Sequence, residues 1–179
     1  MAVLLLGVSS TASGATQRLV YSPFAPDGGV ASGLNVVPRA GECFTGSSLA
    51  AGAYRCITGN LLRDPCYSED ADVASVICAS TPWDSSVVRV ALTDTLPEPA
   101  TSRGIPRAWA VELVAAGRRC RFLTGATAVV RGYRLNYACG RDRYLFGSPR
   151  TTSQTWRIRA SPNVTGERMK LVTIKRAWR

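Results

Sequence analysis

Six cysteines place the strongest constraint on this 179-residue chain, because they fall into three close pairs along the sequence. The chain has no histidine. An even cysteine count on turn-rich segments, without histidine, is typical of a disulfide framework rather than of a metal site or a cytosolic redox motif. Other connectivities are possible in principle, and we expect the local ones. The expected disulfide cysteines are Cys43 with Cys56, Cys66 with Cys78, and Cys120 with Cys139.

The disulfide framework also predicts where the protein acts. Disulfides persist in oxidising compartments, so we expect a secreted or extracytoplasmic protein. Residues 2–8 are apolar and are followed by small side chains at Ser13 and Ala15, a pattern that suits signal-peptide cleavage before Thr16. The basic residues that normally precede such a stretch are missing. Two explanations stay open: the start codon is placed too far downstream, so that the signal peptide is truncated, or the segment is a simple apolar tail. No later apolar run approaches the ~20 residues of a membrane span, so we expect no transmembrane helix in the mature chain.

The net charge of +10 is confined to the C-terminal half. Residues 1–100 contain five Arg against nine acids, whereas residues 101–179 contain fifteen Arg and two Lys against three acids. This asymmetry is typical of a surface for an anionic partner. The alternative is that twenty Arg against two Lys reflect codon bias in a GC-rich genome. The candidate anion-binding residues are Arg118, Arg119, Arg121, Arg131, Arg134, Arg141 and Arg143.

The sequence offers little catalytic chemistry. The lack of histidine excludes Ser-His-Asp and Cys-His nucleophilic sites and most zinc sites, and there is no phosphate-binding glycine loop. We therefore identify no catalytic residue, no metal ligand and no cofactor. The remaining enzymatic alternative is a carboxylate-dependent hydrolase, which needs two facing acids. Its candidate acids are Glu42, Asp64, Glu69, Asp70, Asp72 and Asp84.

Aromatic side chains alternate with arginines in the basic half. Phe122, Tyr133 and Trp156 each adjoin an arginine. Such a mixture could stack bases while arginines bind phosphates, so nonspecific nucleic-acid binding is a further alternative. The competing interpretation is that Trp109, Trp156 and Trp178 belong to the hydrophobic core, as the alternation of their strands predicts.

Strand patterns predict a mostly β fold. Residues 133–137, 156–159 and 169–175 alternate large apolar with polar side chains, and residues 108–117 are expected to form a strand paired with residues 119–122. Short strands with Gly-rich turns favour an antiparallel sandwich or barrel with disulfide-closed loops. The expected organisation is a signal-peptide remnant at 1–15, an irregular lead-in at 16–40, an acidic cysteine-rich β half at 41–96, a Pro-rich connection at 97–106 and a basic β half at 107–179.

The two β halves share a weak internal similarity. Each contains a cysteine, a Phe, a Thr-Gly turn, a further glycine turn and a closing cysteine, at residues 43–56 and 120–139. We therefore consider an internal duplication possible, although such short matches also recur by chance in this composition.

Several short motifs resemble those of small exported actinobacterial proteins and domains without an assigned function. The residues that carry the resemblance are GNLLRDPC at 59–66, Pro82-Trp83, TGAT at 124–127, NYACG at 136–140 and RAWR at 176–179. The resemblance covers residues 42–179 and implies an extracytoplasmic location, with no reaction or cofactor. Together, the sequence predicts an exported, non-catalytic binding domain that contacts an anionic cell-envelope polymer or a surface protein through its basic half.

Overall fold

The computed structural model describes residues 14–69, 74–101 and 108–179. These residues form thirteen strands and one short 3₁₀ turn, with no α-helix among them. The mostly β fold class is confirmed, and the strands close into two barrels.

The first barrel is an up-and-down meander of five strands. Consecutive strands pair antiparallel, and the last strand pairs with the first in parallel. Parallel closure follows from the odd number of strands, because alternating directions leave the first and fifth strands running the same way. The strands are β2 (Asn35–Gly46), β3 (Ala53–Thr58), β4 (Leu61–Tyr67), β5 (Ser75–Ala79) and β6 (Ser86–Leu92).

The second barrel has six principal strands, so its closing pair is antiparallel. The short strand β9 (Val129–Val130) lies off this path and pairs only with β10. The principal strands are β7 (Ala110–Leu113), β8 (Arg119–Phe122), β10 (Tyr133–Ala138), β11 (Tyr144–Arg150), β12 (Arg157–Ser161) and β13 (Lys170–Trp178). Both barrels are meanders, and they differ in strand number and closure.

The N-terminal strand belongs to the second barrel rather than to the first. β1 (Gln17–Leu19) pairs in parallel with β13, more than 150 residues away in sequence. Thr16 is buried at this junction, where its Oγ1 donates to the carbonyl of Ile174 over 2.7 Å and accepts from the Trp156 amide over 2.8 Å. The first barrel is therefore inserted between two segments of one sheet.

One hydrophobic core joins the two barrels. Leu49, Ile77 and Val87 of the first barrel pack in the same buried cluster as Trp109 and Leu145 of the second. Trp109 is 1% exposed. Because its side chain buries a large apolar surface, it contributes strongly to the stability of this core. A smaller core inside the first barrel consists of two disulfides with Tyr54, Val76 and Val90. Because the main core spans both barrels, they are expected to unfold together.

All three expected disulfides are formed. Cys43 faces Cys56 across β2 and β3, and Cys66 faces Cys78 across β4 and β5. Cys120 lies on β8, and Cys139 directly follows β10, the neighbouring strand. Their Cα–Cα distances are 3.8, 4.0 and 4.0 Å, so each bond joins opposed positions on neighbouring antiparallel strands.

The predicted strands are found close to their expected positions. β10, β12 and β13 cover the three alternating segments, and β7 pairs with β8 as expected. The start of the first β half is different, because β2 begins at Asn35 inside the expected irregular lead-in. Proline is typical of sheet edges and turns, so Pro38 favours an irregular segment there. In the structure, Pro38 lies within β2 opposite Arg89. The turn at Arg131-Gly132 joins β9 to β10.

Residues 1–13 of the expected signal-peptide remnant and residues 102–106 of the Pro-rich connection fall outside the described residues. Within the described ranges, no helix has the length and apolar character needed to cross a bilayer.

The Cys120–Cys139 bond generates a stability prediction. Replacing both cysteines with Ala should lower the free energy of unfolding by about 3 kcal/mol, because the bond closes a loop between residues 19 positions apart and restricts the unfolded chain. Urea unfolding followed by Trp fluorescence measures the change, with peptide mapping to show that the other two disulfides remain. A loss below about 1 kcal/mol would contradict this stabilising role.

Candidate anion-binding surface

Alternation along β8 positions two of the candidate arginines. Cys120 and Phe122 are buried, so Arg119 and Arg121, which alternate with them along the strand, point outward. The Arg119 guanidinium lies 5.6 Å from the ring centre of Trp83, which in turn contacts Trp178 edge to face. A cation over an indole face is favourable, so this contact orients Arg119 while leaving its side chain exposed.

The other candidate arginines divide between the two ends of the second barrel. The upper end is formed by the connections after β7, β10 and β12, and the lower end by the connections after β8 and β11. Antiparallel neighbours make this division unavoidable, since successive turns alternate between ends. Arg118, Arg141 and Arg143 lie at the upper end, and Arg131 and Arg134 lie at the lower end. The seven residues therefore spread from one end of the barrel to the other along β8, β10 and their connections, and they do not form one compact patch.

Besides Arg119, which contacts Trp83, two of the seven arginines form contacts within the protein. Arg118 forms an exposed ion pair and hydrogen bond with Asp142, which raises the pKa of Arg118 and lowers the pKa of Asp142. Arg134 donates to the Asn136 side chain over 2.8 Å and to the carbonyl of Gly125, with its guanidinium 5.5 Å from the Phe122 ring. Arg134 therefore fixes the loop after β8.

The three carboxylates of the second barrel are all occupied. Buried Glu112 forms ion pairs with Lys175 and Arg176, each with an N–O distance of 3.2 Å, and also accepts a hydrogen bond from Arg176. Asp142 pairs with Arg118, as above. The Glu167 carboxylate accepts from Thr165 over 3.1 Å and from Asn163 over 3.3 Å. Among the described residues, the exposed Arg121, Arg131 and Arg141 side chains have no carboxylate partner.

A further basic pair, which is not among the seven candidate arginines, lies on β11 and β12. Arg150 on β11 lies directly opposite Arg157 on β12, and both side chains are exposed. Like charges at opposed positions destabilise a sheet, and neither guanidinium has a carboxylate partner in the described chain. The alternation of residues 156–159 shows that Arg157 points outward. The partner across the sheet cannot be predicted, because the β11–β12 register includes an irregularity after Phe146.

The aromatic side chains are largely withdrawn from the surface. Trp109 and Trp156 are buried at 1% and 7% exposure, and Trp178 is half-buried. Arg159 stacks 3.8 Å from the centre of the Tyr133 ring, so this ring face is already covered. These contacts favour the core interpretation of the aromatic residues over a base-stacking surface.

A buried carboxylate lies between the two barrels. The Asp64 side chain is fully buried, accepts from Ser47 Oγ and Ser48 Oγ, and lies 3.8 Å from Arg55 Nε. Burial raises the pKa of Asp64, and the two serines and Arg55 oppose that shift. Asp64 borders a cavity of about 90 Å³ that Arg63 lines from the first barrel and Arg121 from the second. Burial and neighbouring Arg39 lower the pKa of Arg63.

This cleft does not contain the acid pair that a carboxylate-dependent hydrolase needs. Glu112 and Asp64 are the two described acids that are not exposed, and each contacts at least one basic side chain. The contacts with the serines and with Arg55 give Asp64 a structural role, because they connect the turn after β2 to β4. Asp70 and Asp72 lie outside the described residues.

Three cysteine sulfurs form the one described cluster of potential metal ligands. The sulfurs of Cys56, Cys66 and Cys78 lie within 4.8 Å of one another inside the first barrel. All three are in disulfides, and the metal-binding form of cysteine is the thiolate. In the oxidised protein this cluster is therefore part of the core.

Comparison with protein-family models, curated protein sequences and solved structures finds no match to this chain. The resemblance to exported actinobacterial proteins therefore rests on the motif residues alone. The structure supports its coarser content, a mostly β fold with three disulfides.

Asp64 generates a pH prediction. Its raised pKa means that the folded protein binds a proton more readily than the unfolded chain does. This contribution to stability is present at acid pH and is lost as pH rises above the ordinary value of 3.8 through the raised pKa. The unfolding free energy of the wild type should therefore fall relative to Asp64→Asn across this range, by at most about 1.4 kcal/mol per pH unit.

Denaturant titrations at a series of pH values test this expectation. Glu42→Gln, which removes an exposed carboxylate from the same barrel, is the matched control and should show no such trend. A wild type that gains stability relative to Asp64→Asn as pH rises would show that the serines and Arg55 outweigh burial.

Proposed function

We propose that this protein is an exported, non-catalytic binding domain that contacts an anionic polymer of the cell envelope through its second barrel. The observation that carries the proposal is that all three carboxylate side chains of the second barrel form ion pairs or hydrogen bonds within the protein. Exposed arginines such as Arg121, Arg131 and Arg141 are left without internal counterions in the described chain. Exposed guanidinium groups without an internal counterion bind favourably to phosphate and carboxylate groups of another molecule.

The spread of the arginines favours an extended partner. Arg131 and Arg141 lie beyond opposite ends of β10, whose six residues span roughly 20 Å. That distance exceeds the Debye length of about 8 Å at physiological ionic strength. The two ends therefore attract separate charges, which a long polyanion supplies and a single small anion does not.

The contacts of the aromatic side chains favour this proposal over nucleic-acid binding. Base stacking needs exposed aromatic faces, whereas Trp109 and Trp156 are buried and the Tyr133 ring is covered by Arg159. A polymer with charged groups and no bases needs no such faces. Phosphate- or carboxylate-bearing envelope polymers fit this description.

The disulfides support the expected location. Three bonds between directly opposed strand positions are compatible with an extracytoplasmic protein. Cleavage before Thr16 would leave a mature chain that starts at a buried and hydrogen-bonded residue. The signal peptidase would then have to act before the second barrel closes around Thr16.

The proposal predicts salt-dependent binding to poly(glycerol phosphate). The double substitution Arg131→Gln and Arg141→Gln should weaken binding about threefold or more at low salt and reduce the slope of log K against log salt, because each guanidinium contacts phosphate. Affinity measured by fluorescence anisotropy across a salt series provides both quantities.

The matched control is Arg39→Gln with Arg89→Gln, which removes the same charge from exposed positions on the first barrel. Its effect should be smaller, because those arginines lie away from the proposed surface. Equal weakening by both double variants, or wild-type binding that does not change with salt, would contradict a role for the second barrel.

A further inference from the structure

A cavity lies at the lower end of the second barrel. It has a volume of about 590 Å³ and is bordered by the β11–β12 connection, the start of β1 and the end of β13. This volume is within the ~300–1,000 Å³ range of small-molecule sites. The seven arginines identified from the sequence are not among its lining residues.

Internal hydrogen bonds fix the wall of this cavity. The Thr16 amide donates to the Gln154 carbonyl over 2.8 Å, and Thr16 Oγ1 accepts from the Trp156 amide over 2.8 Å. Ser153 Oγ donates to the Thr155 carbonyl over 2.7 Å. The connection between β11 and β12 is therefore held on both sides, and a bound ligand would not have to order it.

Two arginines give the cavity its charge. Arg18 on β1 and Arg179 after β13 both line it, and the Arg179 amide donates to the Leu19 carbonyl over 3.0 Å. The parallel pairing of β1 with β13 thus brings two arginines that are far apart in sequence to the border of one cavity. Among the described residues, no carboxylate side chain lines the cavity.

Neutral polar groups line the rest of the cavity. Thr151 and Ser153 carry hydroxyl groups, and Gln154 carries an amide, so the wall offers hydrogen bonds suited to a hydroxylated ligand. Buried Trp156 adds an apolar floor. Guanidinium groups beside hydroxyls and an aromatic ring match an acidic sugar or polyol, with one anionic group and several hydroxyls.

We propose that this cavity binds one phosphate- or carboxylate-bearing sugar or polyol unit. The proposal rests on the proposed function, because it names the repeat unit or end group of the polymer that the second barrel contacts. Arg18 and Arg179 bind the anionic group, and the polar side chains of residues 151–154 bind the hydroxyls.

Titration calorimetry of the full chain tests the cavity with small probes. Glycerol 1-phosphate and glucuronic acid separate a phosphate from a carboxylate preference, and glycerol and glucose are the neutral counterparts. At least one anionic probe should bind, and its neutral counterpart should bind about tenfold more weakly or worse, since charge-assisted hydrogen bonds are lost. Equal binding of charged and neutral probes, or no binding of either anion, would overturn the proposal.

A matched pair of double variants separates the cavity from net charge. Arg18→Gln with Arg179→Gln should weaken binding of the anionic probe about tenfold or more. Arg150→Gln with Arg157→Gln removes the same charge from the strands flanking the same connection, outside the cavity lining, and should leave probe binding within about twofold. Equal losses in the two double variants would show a diffuse charge effect and overturn the proposal.

Folding and polymer binding are measured in parallel. Circular dichroism checks both double variants, and the single Arg18→Gln variant replaces the double one if Arg179 is needed for folding. If the wild type binds poly(glycerol phosphate) with strong salt dependence but binds no probe, the cavity proposal fails while the proposed function stands. If a probe binds through Arg18 but the polymer does not bind, the proposed function fails and the cavity site stands.

Discussion

The covalent pairing of directly opposed cysteines is the constraint on which the rest of the structure depends. Each disulfide joins neighbouring antiparallel strands, and each therefore fixes one strand register. A shift of one residue would turn every side chain of a strand to the opposite face. With Cys120 and Phe122 fixed inside β8, Arg119 and Arg121 must face outward. The basic surface is thus a consequence of the same bonds that hold the barrel.

The shared core makes the two barrels one structural unit with an asymmetric surface. Residues from both barrels meet in one buried cluster around Trp109. The first barrel contains most of the acids, and its buried Asp64 is used for internal contacts with Ser47 and Ser48. The second barrel uses its few acids internally as well, so its excess of arginine is directed to solvent. The charge difference between the halves of the sequence therefore becomes a difference between two surfaces only after folding.

Local sequence patterns predict much of this fold, but they do not predict the pairings between residues that are far apart in sequence. Alternation located β10, β12 and β13, and short cysteine spacing indicated the disulfide partners, because both signals involve residues close in sequence. The parallel pairing of β1 with β13 brings Arg18 near Arg179, and no local pattern encodes it. The opposition of Arg150 and Arg157 depends on a strand irregularity. The division of five of the seven arginines between the two barrel ends likewise depends on the topology.

Disulfide mapping of the native, unreduced protein tests the central claim most directly. Digestion without reduction, after alkylation of any free thiols, should yield peptides linked through Cys43–Cys56, Cys66–Cys78 and Cys120–Cys139, with no alkylated cysteine. The sulfurs of Cys56 and Cys66 lie close enough to make their linkage the competing outcome. A Cys56–Cys66 peptide, or alkylated thiols in the native protein, would contradict the strand registers and the extracytoplasmic location inferred from them.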